Sequence, residues 1–170
     1  MISLQRPAYE HKQKALEFRQ EFFDMGEPVI NGSELFDKTD SYEKWLRKVT
    51  DNSSEETVDP GWVVTDTFFA FDEMGTLVGI IDLRHRLNDF LKDFGNCGYS
   101  VRPTQRRKGY ATEMLRLVIE TAKGLGLEEL HLSVESDNLP SVKTIVRNGG
   151  VYERSFDHEG NRADVYRIAL

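Results

Sequence analysis

The sequence predicts a mixed α/β domain of the α+β type, in which helices come first and a β-hairpin leads into a strand–helix–strand–helix–strand centre. Three observations carry this reading. Apolar residues recur at helical spacing near the N-terminus and again between Arg107 and Lys123. β-Branched and aromatic residues fill Val63–Phe71 and Thr76–Leu83, on either side of the turn Asp72-Glu73-Met74-Gly75. Strict alternation puts Leu130, Leu132 and Val134 on one side of the stretch Glu129–Glu135.

In chain order, a first helix runs from about Ala8 with Ala15, Phe18, Phe22 and Met25 on one face, and Gly26 with Pro28 stops it. Asp40 or Ser41 caps a second helix that carries Tyr42, Trp45, Leu46 and Val49. The polar stretches Asn31-Gly32-Ser33 and Asp51–Glu56 are loops, places for a substrate lid or plain connectors. Beyond the hairpin, Asn88–Asp93 is a short helix or loop, and Cys97–Val101 is a strand ended by Pro103, which cannot donate to a ladder. A helix from about Arg107 to Lys123 gathers Ala111, Met114, Leu115, Val118 and Ala122 on one face, with Gly124 and Gly126 at its end. Asn138 or Ser141 opens a short helix that reaches Asn148-Gly149-Gly150. Two strands, Val151–Phe156 and Ala163–Ala169, close the chain around the turn His158-Glu159-Gly160-Asn161. Trp45, Trp62, Phe68, Phe69 and Phe71 are expected in the core, with Cys97 as a small core residue rather than a nucleophile.

The bulk properties bound the function. The 170 residues suit one domain spanning 1–170, and 39% hydrophobic with 30% charged residues is an ordinary globular balance. A net charge of −7 is the opposite of a nucleic-acid binder's footprint. The lone Cys97 excludes an internal disulfide and a four-cysteine zinc site, and no metal is expected. No apolar stretch nears the roughly 20 residues that cross a bilayer, and the N-terminus lacks a signal peptide's apolar core. These features suit a cytoplasmic monomer or homodimer with no nucleic-acid or membrane partner.

Against that acidic background Arg102, Arg106, Arg107 and Lys108 place four positive charges within seven residues. They sit where a strand feeds a helix N-terminus, which presents unpaired N–H groups and the positive end of the helix dipole. Such a turn is a pyrophosphate site. A solvated helix start is the plainer alternative. Gly109 would allow close backbone approach, and Ala111 is small. The nucleotide loop Gly-x-x-x-x-Gly-Lys-Ser/Thr and the dinucleotide fingerprint Gly-x-Gly-x-x-Gly are both absent.

The segment Arg106-Arg107-Lys108-Gly109-Tyr110-Ala111 resembles the Gln/Arg-x-x-Gly-x-Gly/Ala motif of the GCN5-related N-acetyltransferases. Gly98–Pro103 is similar to that family's fourth strand, Glu135–Ser141 to the end of its fifth strand and the next helix start, and Arg147–Val151 to a later helix-to-strand step. The order and spacing match over roughly Leu77 to Leu170. The resemblance implies a mixed central sheet flanked by helices, with strands 4 and 5 splayed apart around acetyl-CoA. It implies that Tyr99, Ser100 and Val101 hold the pantetheine arm by main-chain hydrogen bonds. The amides of Arg106, Arg107, Lys108, Gly109, Tyr110 and Ala111, with the Thr112 hydroxyl, would cradle the pyrophosphate. Asn138 and Ser141 would face the arm from the opposite strand end. The implied reaction is direct attack of a small-molecule or peptide amine on the thioester, by proximity and without a covalent enzyme intermediate.

One position departs from the family pattern. Seven residues after Asn138, where many members carry a tyrosine that protonates the departing thiolate, this chain has Ile145. The proton would come from another group or from water. Candidates for the base are His85, whose ordinary pKa lies near neutrality, Asp82 beside it, and Glu135 acting through a water. Arg84-His85-Arg86 is also readable as a solvated loop. Two other readings stay open: a non-catalytic acyl-CoA-binding sensor or scaffold, and a phosphate- or nucleotide-binding module unrelated to acylation.

Overall fold

Two antiparallel sheets meet at a diverging seam. The computed structural model describes all residues 1–170. Strands β1 (Ser3–Gln5), β2 (Thr65–Phe71), β3 (Leu77–Arg84) and β4 (Tyr99–Val101) pair in that order. Strands β5 (Glu129–Glu135), β6 (Val151–His158) and β7 (Asn161–Ala169) make the second sheet in the order β5-β7-β6. No ladder joins β4 to β5. The sheets are stitched only at one end of the seam, by the bridge Gly95–Leu132, by Asn96 N donating to His131 O at 2.6 Å and by His131 N donating to Asn96 Oδ1 at 2.8 Å. The splay of strands 4 and 5 is therefore present.

Four helices flank the sheets: α1 (Lys12–Asp24), α2 (Tyr42–Asp51), α3 (Tyr110–Gly124) and α4 (Leu139–Arg147). Alternation along β2 and β3 sends Phe69, Phe71 and Ile80 to one face, where Phe18, Phe22, Phe36 and Trp45 cover them from α1, α2 and the loop between. It sends Ala70, Ile81 and Leu83 to the other face, against Met114, Leu115 and Val118 of α3 and Ile145 of α4. With both faces covered, β3 reads as a near-continuous apolar run. Each large side chain so buried contributes about 1.5–3 kcal/mol.

Several boundaries differ from the sequence expectation, each for a local reason. The helix expected from Arg107 begins at Tyr110, because Arg107 and Gly109 adopt φ of 63° and 82°. β4 starts at Tyr99 rather than Cys97, since the Gly98 amide turns to the Asp82 carboxylate at 2.6 Å. β6 and β7 extend to His158 and Asn161, leaving a two-residue turn whose Glu159 and Gly160 both have positive φ, as a tight hairpin requires. Asn88–Asp93 forms turns and no helix. Trp62 lies half-buried at the margin of the core, with its indole N–H unpartnered. Ser41 caps α2 by accepting from Lys44 N, as expected.

The loop after α1 is docked firmly on β4's approach. Ser33 Oγ donates to Ile30 O, Trp45 Nε1 donates to Ser33 O at 2.8 Å, and Ser100 Oγ donates to Asn31 O at 2.8 Å. Gly32 makes this contact possible, because a Cβ there would sit 2.2 Å from Gly98 O and its φ is +75°. Gly32→Ala should therefore destabilise the fold by about 2–4 kcal/mol in urea unfolding. A loss below about 0.5 kcal/mol would mean the loop is not pinned there.

Candidate functional site

The turn before α3 leaves a run of backbone amides unpaired. Pro103–Gln105 forms a single 3₁₀ turn, Arg106 is extended, and Gly109 is the left-handed residue that opens α3. None of the six consecutive amides Arg107, Lys108, Gly109, Tyr110, Ala111 and Thr112 donates to a protein acceptor; the first helical bond is Glu113 N to Gly109 O. These free N–H groups coincide with the positive end of α3. No atom lies within 4 Å of a Cβ built at Gly109, so its φ demands glycine and the space above it is open. Asn148 Nδ2 donates to Thr112 O at 3.2 Å, which fixes this first turn to α4.

The four basic residues divide into two roles. Arg106 reaches the Glu27 carboxylate with two hydrogen bonds of 2.9 and 3.1 Å, and Arg102 Nε pairs with Glu21 at 3.1 Å. Glu21 also accepts from the Thr104 amide and hydroxyl. Arg102 and Arg106 thus spend their charge anchoring the turn to the end of α1. Lys108 donates to Gln105 Oε1, and no ion pair forms at Arg107 or Lys108. The anion site that four charges suggested therefore retains two side-chain charges and a row of amides.

The seam supplies a second set of main-chain groups. Gly98 O accepts from Asp82 N, and Arg102 N donates to Val78 O. By the alternation of an antiparallel ladder, Ser100 also bonds to β3, while Tyr99 and Val101 turn their N–H and C=O groups away from β3, where Val101 O accepts from Arg106 Nε at 3.3 Å. Ser100 is thus the exception in the expected main-chain trio. Across the gap, Asn138 Oδ1 caps α4 by accepting from Ser141 N at 3.4 Å. The Tyr99 hydroxyl and Ser141 Oγ lie 2.6 Å apart, and burial pushes the Tyr99 phenol up to about 12. Ile145 is 1% exposed and packs under Gly150, so no protonatable group stands at that position.

The expected base candidates do not come together. Asp82 and His85 lie three apart and so point to opposite faces of the sheet. His85 Nε2 is 2.7 Å from Asp66, whose other oxygen holds Arg6 at 2.7 Å. Glu135 is exposed at the end of β5, away from both. Asp82 is fully buried on the α1/α2 face, with Gly98 N on Oδ1 and Arg84 Nη2 at 3.4 Å from Oδ2.

Glu34, which directly follows the polar loop Asn31-Gly32-Ser33 and is not among the sequence candidates, feels the Asp82 charge. Glu34 and Leu35 both adopt positive φ, 51° and 65°. Burial first, then the Asp82 charge and a hydrogen bond to it, raise the Glu34 carboxyl to about 9; Arg84 and Lys48 oppose the shift. With both carboxyls ionised Asp82 Oδ2 has no donor, and a proton on Glu34 supplies one. Only a carboxylate in a polar loop could have hinted at this residue from sequence.

The acetyltransferase (GNAT) domain model matches residues 12–151, a span that takes in α1 and α2 and ends at the first residue of β6. Among curated proteins, none matches the sequence. Solved structures share the fold at low identity. RimL, a ribosomal L7/L12 alpha-N-protein acetyltransferase in complex with coenzyme A, superposes with a TM-score of 0.73 at 12% identity, covering 99% of this chain and 94% of that one. Mutant forms of the spermidine/spermine N-acetyltransferase SpeG from Vibrio cholerae give 0.68 at 15% identity, with 99% and 93% covered. The GNAT domain of S. lividans PAT gives 0.66 at 14% identity, with 99% and 89% covered.

The Glu34–Asp82 contact has a pH signature. Because the folded pKa of Glu34 lies above its ordinary 4.5, the folded chain keeps a proton that the unfolded chain loses between 4.5 and about 9. The associated stability is complete below the unfolded value and is lost as pH rises through the folded one. Glu34→Gln keeps a donor toward Asp82 but does not titrate. The difference in urea midpoint, wild type minus Glu34→Gln, should fall steadily across this window, and a flat difference would contradict the raised pKa.

Proposed function

The chain belongs to the GNAT acetyltransferase family, and on that premise we propose that it transfers the acetyl group of acetyl-CoA to a primary amine of a small molecule or peptide by direct attack. The observation that carries this is the row of unpaired amides Arg107–Thr112 beside the open edge of β4. An orphan N–H row at a helix start fits a pyrophosphate, and unpaired strand groups fit the amides of a pantetheine arm.

The amides of Arg107 to Thr112, aided by the Arg107 and Lys108 charges, hold the pyrophosphate. Tyr99 and Val101 bond the arm through their main chain, and the free amide nitrogen of Asn138 meets it from the opposite wall. Acetyl-CoA supplies the activated acyl group. Arg106 acts by shaping the turn through Glu27. No side-chain nucleophile is needed, because holding an amine beside a thioester supplies much of the rate by proximity. The polyamine acceptor of SpeG and the protein N-terminus of RimL define two acceptor classes to try. The buried Ile145 favours a second reading, a non-catalytic acyl-CoA sensor. Turnover separates the two.

Release of free CoA from acetyl-CoA should be seen with spermidine, a serine-initiated peptide or a free amino acid, whereas binding without release would favour the sensor. In calorimetry the chain should prefer acetyl-CoA to ATP, and the reverse preference would overturn the proposal. Arg107→Glu with Lys108→Glu, or Gly109→Trp, should weaken acetyl-CoA binding by about 10-fold or more. Arg106→Gln should lower stability and leave affinity within about 3-fold, since its charge is already paired.

A further inference from the structure

The Tyr99 side chain crosses the seam from β4 to α4. Its register partner on β3 is Ile81, so it leaves the sheet on the face that α3 and α4 cover. There its hydroxyl oxygen lies 2.6 Å from Ser141 Oγ and 3.4 Å from Ser141 O, in the first turn of α4. The shorter distance is a full hydroxyl hydrogen bond, and the longer one falls outside that range. A serine hydroxyl can donate to a phenol oxygen, and with Ser141 as donor the phenol proton is left for a ligand.

Ser141 and Ile145 are four residues apart and so share one face of α4. Ile145 holds the position where the family pattern places a tyrosine, and it is buried beneath Gly150. Tyr99 thus brings a phenol to the same helix face from the opposite wall. A pyrophosphate at Arg107–Thr112 would sit beyond the C-terminal end of β4. An arm lying along that strand would run about 10 Å back to Tyr99. Just past Tyr99 the sheets are laced together at Asn96, so the arm's sulfur end would stop beside the phenol. Burial pushes the phenol up to about 12, which keeps its proton in place. Ser141 and Thr144 face it from α4 with hydroxyls, and Ile81 from β3 is apolar. Cys97, on its own segment, is fully buried with its thiol pushed well up and adds no charge.

Resting on the transferase reading, the geometry points to the Tyr99 hydroxyl, held by Ser141, as the hydrogen-bond donor to the sulfur of the departing thiolate. The amine nitrogen bonds to the acetyl carbon and sheds its proton to water. The carbon–sulfur bond breaks with its electron pair on sulfur. An ordinary thiol titrates at about 8.5, below this phenol, so the phenol keeps its proton and holds the new charge by a charge-assisted bond. Water then protonates the sulfur as free CoA leaves. The bond strengthens as charge grows on sulfur, so it favours the transition state over the bound thioester. Tyr99 is the catalytic residue, and Ser141 is a positioning residue.

The test compares wild type, Tyr99→Phe and Ser141→Ala, each checked for folding by circular dichroism. Free CoA presents the thiolate charge with no acceptor present, so its affinity relative to acetyl-CoA is measured by calorimetry from about pH 7 to about pH 9.5. In wild type CoA should gain about 10-fold on acetyl-CoA over this range, and in Tyr99→Phe no more than about 2-fold. With spermidine or a serine-initiated peptide as acceptor, Tyr99→Phe should lower kcat by about 10-fold or more, with acetyl-CoA affinity within about 2-fold of wild type. Ser141→Ala should show the same losses in smaller measure, and it carries the comparison if Tyr99→Phe does not fold. A packing role would instead weaken CoA and acetyl-CoA alike at every pH. A CoA gain that is absent from wild type, or equal in Tyr99→Phe, would overturn the assignment and leave the transferase reading standing. Unchanged kcat in Tyr99→Phe would do the same. If wild type binds acetyl-CoA and acetylates no amine, the transferase reading fails and the catalytic role of Tyr99 falls with it.

Discussion

The structure depends on a strand edge that stays unpaired. At Gly95 and Asn96 the two sheets are laced to His131 and Leu132, and three residues later β4 has no partner on that side. An open edge is normally a liability that a fold covers or charges. Here the lacing fixes the apex, and the α3 crossover and α4 hold the two walls, so the gap is a built feature. Tyr99 and Val101 can face a ligand only because β5 does not occupy their hydrogen bonds. The Tyr99–Ser141 contact spans the same gap and sets its width on the α4 side.

The economy of charge near α3 follows from that geometry. A chain with a net charge of −7 places Glu21 and Glu27 against two of the four basic residues that precede α3. These pairs are partly exposed, so each adds at most about 1 kcal/mol of stability. Their larger effect is connection. The end of α1 holds the turn before α3, and the chain then runs directly into the loop that Gly32 docks on Gly98. One helix thus positions both the candidate cofactor turn and the Glu34 carboxyl. At this turn the unpaired backbone amides outnumber the side-chain charges left without an ion-pair partner.

What the sequence revealed were features encoded locally. The bounds of β5 follow from alternation, and the Ser41 and Asn138 caps follow from side chains that bond their own helix starts. The family motif led to the right turn because strand, glycine and helix are contiguous there. β1 escaped because three residues are too few for a period to show. Arg107 in a left-handed conformation escaped because that propensity belongs to glycine and asparagine, and the neighbouring ion pairs that set the turn span some eighty residues. Glu34 escaped for the same reason, since its partner lies on another element and only the fold joins them. The pairing of Asp82 with His85 could have been rejected from sequence, because residues three apart on a strand face opposite sides.

The central claim is that the seam and the turn before α3 are one binding surface for acetyl-CoA. Amide hydrogen exchange with and without acetyl-CoA, resolved by residue, tests it most directly. The account predicts new protection at Arg107 to Thr112 together with Tyr99 and Val101, and no change at Ser100, whose amide is already bonded to β3. Protection confined to other segments, or none at the turn while acetyl-CoA is bound, would contradict it.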